Sequence, residues 1–167
     1  MKKNYKVLFP LFVAAILIVG CKENSTTYRQ AQERIDSLES KLKSAYIPGW
    51  GEIMRGSIQV HHSNLWFAGE AENWELAEHM VEELEEGFEK LQTWHPDDVE
   101  TASIPMIDQP LKNLAEAINN KDQVEFKKGY LALTQSCNTC HAATGNEIYV
   151  IQTPTSPGFT NQSFKLQ

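Results

Sequence analysis

The chain has 167 residues, with 22 acidic against 15 basic side chains and a formal net charge of −7. A surface of this sign argues against nucleic acid or anionic lipid as a partner and favours basic patches on other proteins. The length suits one domain with a sizeable core.

Lys2, Lys3 and Lys6 precede an almost wholly apolar run from Val7 to Val19, closed by Gly20 and Cys21. A basic start, a short apolar core and a small residue at the end mark a processing segment rather than part of a fold. The run is thirteen residues long and contains Pro10, too short to cross a hydrocarbon layer of about 30 Å unaided. An uncleaved anchor is the competing reading. The segment resembles bacterial lipoprotein signal peptides. That resemblance implies loss of residues 1–20, lipidation of Cys21, and an exported, membrane-anchored protein facing the periplasm or the cell exterior. More than one acyl chain makes such an anchor stable. Without the three leader lysines the net charge becomes −10.

Residues 21–30 read as a polar tether. Ala31, Ile35, Leu38, Leu42 and Ala45 then recur at spacings of four and three, which predicts a stalk or packing helix over 31–46. Two heptads fall short of a coiled coil, and Ile47-Pro48-Gly49 ends the element.

Residues 50–146 carry four further helical patterns. The first runs from about Gly51 to Ala68, with Met54, Ile58, Leu65 and Ala68 on one face and His61 and His62 flanking it. The second, Trp74 to Trp94, places Ala77, Met80, Val81, Leu84, Phe88 and Leu91 inside. Its opposite face is rich in glutamate, as expected where a helix meets water. A shorter helix is spaced by Ile107, Leu111, Leu114 and Ile118, with Pro110 in its first turn or at a kink. Asp122, with Glu125 three residues on, can cap the last helix. There Phe126, Tyr130, Leu133, Cys137 and Cys140 follow one face. Short connections between four amphipathic helices predict an all-α, antiparallel four-helix bundle. An extra N-terminal helix precedes it, and residues 147–167 form an irregular tail over the mouth of the bundle.

Cys137-Asn138-Thr139-Cys140-His141 is a C-x-x-C-H motif, the attachment signature of a c-type haem. Two thiols must add to two vinyl groups of one porphyrin, and the imidazole must reach the iron from the same side. Helix positions i, i+3 and i+4 share a face and meet those demands. A thioredoxin-type dithiol would expect a preceding strand–helix unit, and no strand pattern precedes Cys137. A structural zinc would want four ligands. With Cys21 lipidated and two cysteines on haem, none is left for a disulfide.

One such motif, on the last of four helices, resembles the cytochrome c prime family. The resemblance implies one covalent haem c per chain through Cys137 and Cys140, with His141 as proximal iron ligand. In that family a methionine on the first bundle helix is the sixth ligand of low-spin members, whereas high-spin members leave the position open and bind small gases. The resemblance also allows a homodimer through the outer helix faces, although the glutamate-rich face argues against that surface. The chain departs from the pattern in the 26 residues after His141, in lacking a basic residue at Ala142-Ala143-Thr144-Gly145, and in its N-terminal additions. The stretch from His62 to Gly69 also resembles bacterial haem lipoproteins without a settled role.

Taking each residue at 100°, Met54 and His61 fall within about 40° of the first helix's apolar stripe and His62 about 60° from it, while His79 points away. Candidate distal ligands are His62, then Met54, then His61. His95, beside Pro96, is expected to cap or pack at a helix end, and Met80 to fill core. Arg55, Lys127 and Lys128 are candidates for the haem propionates, and one or two of Trp50, Trp66, Trp74 and Trp94 for packing on the ring. The expected function is electron transfer with redox partner proteins, without catalysis. The alternatives are a five-coordinate haem binding nitric oxide, carbon monoxide or oxygen as sensor or scavenger, a haem peroxidase, and a dithiol reductase.

Overall fold

The computed structural model describes residues 26–42, 44–158 and 161–166. The expected leader and lipidation site lie outside these residues. Every regular element among the described residues is helical, so the all-α expectation holds. No helix among them is long and apolar enough to cross a membrane.

The chain divides into two compact units, up to Tyr46 and from Ile47 onward. The first contains helix α1, residues 26–42. It includes residues 26–30, so that part of the supposed tether is helical. In its apolar stripe Leu38 is 63% and Leu42 71% exposed.

The second unit starts with three helical segments in succession: α2 (Trp50–Ile53), a π-helical segment (Met54–Ile58) and α3 (Gln59–Glu70). Then come α4 (Trp74–Trp94), a 3₁₀ turn (Thr101–Met106), α5 (Asp108–Asn119) and α6 (Gln123–Ala143). α3 packs on α4, α4 on α5, α5 on α6, and α6 returns to α3.

The sequence explains most of these boundaries. Asn73 caps α4 by accepting from the Leu76 amide, and Asp122 caps α6 by accepting from Val124 and Glu125. Both caps satisfy amides that the first helical turn leaves unpaired. Pro110 sits in the first turn of α5, where its missing N–H is tolerated. The expected inner face of α4 is buried throughout, and its glutamates face water except for the half-buried Glu83.

The first bundle helix departs from expectation. Its buried positions are Ile53, Ile58, His62, Leu65, Ala68 and Gly69, with a first spacing of five. A π turn takes in one extra residue, so everything after Ile58 is rotated relative to a uniform helix. That rotation puts His62 inside and leaves His61 at the edge, the reverse of the order given by a constant 100° per residue.

The upper core is aromatic. Phe126 and Tyr130 are fully buried. Trp66 lies 4.9 Å from Tyr130 and 6.3 Å from Phe126, and Trp74 meets Phe126 edge-on at 5.9 Å between centroids. Gly69 makes this packing possible, because a Cβ there would overlap the Phe126 ring. Below the cluster, the first bundle helix and α6 face each other across a cavity.

Candidate functional site

The cavity measures about 590 Å³ and is lined by Trp50, Met54, Ile58 and His62 on one side and Leu133, Cys137, Cys140 and His141 on the other. Leu84 and Phe88 of α4 and Ile107 add an apolar wall, and Ile148 to Ile151 line it from the tail. A volume of this size is in the range of cofactor pockets. The start of the first helix and the end of α6 therefore meet at one site, as expected of helices running in opposite directions.

Cys137 and Cys140 stand one helical turn apart on α6, facing the same space. Burial, followed by the neighbouring Cys140, pushes the Cys137 thiol up to about 12. The Cys140 thiol is also raised, first by burial and then by Glu100. Two thiols kept protonated are poor nucleophiles for disulfide exchange, which needs a stabilised thiolate. No three His, Cys, Asp or Glu side chains among the described residues are grouped to hold a bare metal ion.

His141 is oriented by the chain itself. Its Nδ1 lies 2.6 Å from the Tyr149 carbonyl oxygen. A carbonyl only accepts, so Nδ1 carries the proton and Nε2 keeps the lone pair. This is the tautomer of an imidazole that ligates a metal through Nε2, with a backbone carbonyl fixing the ring. The residues present fit a c-type haem: two thiols and a pre-oriented imidazole on one face, opposite an apolar wall.

His62 is placed differently from a free ligand. It is buried, its Nε2 lies 3.0 Å from Thr134 Oγ1, and its Nδ1 lies 3.0 Å from Tyr130 Oη. The Thr134 hydroxyl donates to the Tyr130 carbonyl at 2.9 Å. It therefore accepts from His62 Nε2–H, and Nδ1 shares the single Tyr130 hydroxyl proton with the His62 carbonyl, 2.9 Å from the same Oη. Both ring nitrogens are thus engaged by protein groups. Burial lowers the His62 pKa to about 4, so the ring is neutral near pH 7.

Met54 lies on the cavity wall within the π segment and packs partly into the core. π turns are frequent at functional sites. His61 is not among the lining residues. It faces Glu83 at 3.8 Å, and burial, partly opposed by Glu83, lowers its pKa. Met80 is buried core. His79 stays on the outer face beside Glu82 and Glu83.

Of the candidate cations, only Arg55 lines the cavity; its Nε donates to the Gly51 carbonyl at 3.0 Å. Lys127 and Lys128 pair instead with Glu70 at 2.9 Å and Glu125 at 2.6 Å. Trp50 alone of the four tryptophans reaches the site, and its Nε1 donates to Asp98 at 2.8 Å. His95 ties down the same corner by donating from Nε2 to the Pro48 carbonyl at 2.9 Å. The role of the tail around Tyr149 was not legible in advance.

Compared with known proteins, the chain matches no family model, no curated protein and no solved structure.

Proposed function

We propose that the chain is a monohaem c-type cytochrome, lipid-anchored through Cys21 and facing the periplasm or the cell exterior, that passes single electrons between partner proteins. Its haem would lie within an antiparallel four-helix bundle, between the first bundle helix and α6. The observation that carries this proposal is the convergence on one cavity of Cys137, Cys140 and a His141 whose Nε2 holds the lone pair. The haem would supply a one-electron couple tuned by its axial ligands and their surroundings. The chain's own part is to supply thioethers from Cys137 and Cys140, hold His141 in one tautomer, and keep water from the inner wall with Ile58, Leu84, Phe88 and Leu133. Arg55 is placed to meet a propionate.

Met54 is the better sixth ligand on energetic grounds. His62 would have to give up its buried ring contacts with Thr134 and Tyr130 before it could bind iron. A thioether carries no such cost. The same apolar wall also favours a second reading, a five-coordinate haem that binds nitric oxide, carbon monoxide or oxygen. The dithiol reductase reading loses support from the raised thiol pKa values.

The test is the double variant Cys137→Ala with Cys140→Ala, produced where c-type haem is attached. Wild type should retain haem stain through denaturing electrophoresis, and the variant should lose it. Equal staining of both would defeat the proposal.

A further inference from the structure

Residues 146–151, which follow α6, belong to no helix or strand, yet they are closely seated on the haem-attachment motif. Ile148 and Val150 are 80% and 74% exposed, and no helix or strand is assigned between Asn146 and Ile151. Polar contacts hold them instead. The Ile151 amide donates to Asn138 Oδ1 at 2.7 Å, and Asn138 Nδ2 donates to the Ile151 carbonyl at 2.8 Å. One side-chain amide thus satisfies both backbone groups of one tail residue, much as a neighbouring strand would.

The other end of the segment is held by α6 itself. The Asn146 amide donates to the His141 carbonyl at 2.7 Å, and the Tyr149 amide donates to the Asn146 carbonyl at 3.0 Å. Between these two fixings the Tyr149 carbonyl receives the His141 Nδ1–H.

We infer that residues 146–151 form a strap that sets the orientation and electron donation of His141, and that Asn138 is the positioning residue that seats it. The inference rests on the haem reading for its consequence, but not for the seating itself. A carbonyl accepting from Nδ1–H makes the imidazole a stronger donor to iron through Nε2, which favours the ferric form and lowers the potential. Without Asn138, Ile151 loses both partners, the carbonyl drifts, and the potential rises.

Two variants separate this role from haem attachment. Asn138→Ala removes the clamp from within the motif. Ile151→Pro removes the donated N–H from the tail and leaves every motif residue in place. In the full chain, amide hydrogen exchange at Tyr149 should quicken about fivefold in both, the factor set by losing a typical net hydrogen bond. In the haem-loaded protein both variants should raise the midpoint potential. Asn138→Asp, which keeps the oxygen acceptor for Ile151 N–H, should restore part of both effects. Unchanged Tyr149 exchange would overturn the strap. Faster exchange with an unchanged potential would overturn its action on His141. A wild-type chain that binds no haem would overturn the haem reading and the consequence drawn from it, while the exchange comparison would still decide the seating.

Discussion

His62 shows how one buried side chain links folding to pH. Its ring is neutral when folded, with a pKa near 4, whereas an unfolded histidine titrates near 6.5. Between these values the unfolded chain binds a proton that the folded chain does not, so stability rises with pH across that window and levels off above it. At about 1.4 kcal/mol per pKa unit the span is worth up to roughly 3 kcal/mol. Urea unfolding at several pH values should show that rise in wild type, and His62→Leu should lack the His62 contribution, so the difference between the two proteins should grow with pH across the window. A difference independent of pH would contradict the account. Met54 makes a second residue-level prediction. Met54→Ala should give a high-spin ferric spectrum and new carbon monoxide binding in the ferrous protein, while His62→Ala should leave the iron six-coordinate. The opposite pattern would return the ligand role to His62.

At the scale of elements, close approach between the first bundle helix and α6 depends on Gly69. Gly69→Ala forces a methyl into the Phe126 ring and should cost about 1–3 kcal/mol by the usual penalty for overpacking. Gly56→Ala, at an exposed position of the π segment with no atom near its Cβ, should be neutral or stabilise by up to about 1 kcal/mol from helix propensity. Equal losses in urea midpoint for both would show that packing at Gly69 is not the cause. These elements also mark how far the sequence could be read. Apolar spacing located α4 end to end, and Asp122 marked the start of α6, because uniform helices and side-chain caps leave direct traces in residue order. The phase of the first bundle helix was not legible, since a single π turn between Met54 and Ile58 breaks the constant angle on which such a count depends. Cys137, Cys140 and His141 could be grouped from spacing alone. The bonds from Asn138 to Ile151 and from His141 to Tyr149 could not, because they join a helix to a segment without periodicity.

At the scale of the molecule, the acidic balance suggests what kind of partner would exchange electrons with it. A chain of net charge −7 attracts a basic partner over distances that salt screens within about 10 Å at 0.1 M. Electron exchange with a basic small redox protein should therefore slow as ionic strength rises, and a rate insensitive to salt would place the contact on a neutral patch. The central claim is a covalent haem with a sixth ligand from the protein, and one absorption spectrum of the purified chain tests it most directly. The oxidised protein should be low-spin with a sulfur-to-iron charge-transfer band, and dithionite should give the sharp split bands of a six-coordinate ferrous haem. A colourless protein from a host that matures c-type haem would contradict the claim outright. A high-spin spectrum with immediate carbon monoxide uptake would contradict its six-coordinate form and make gas binding the function.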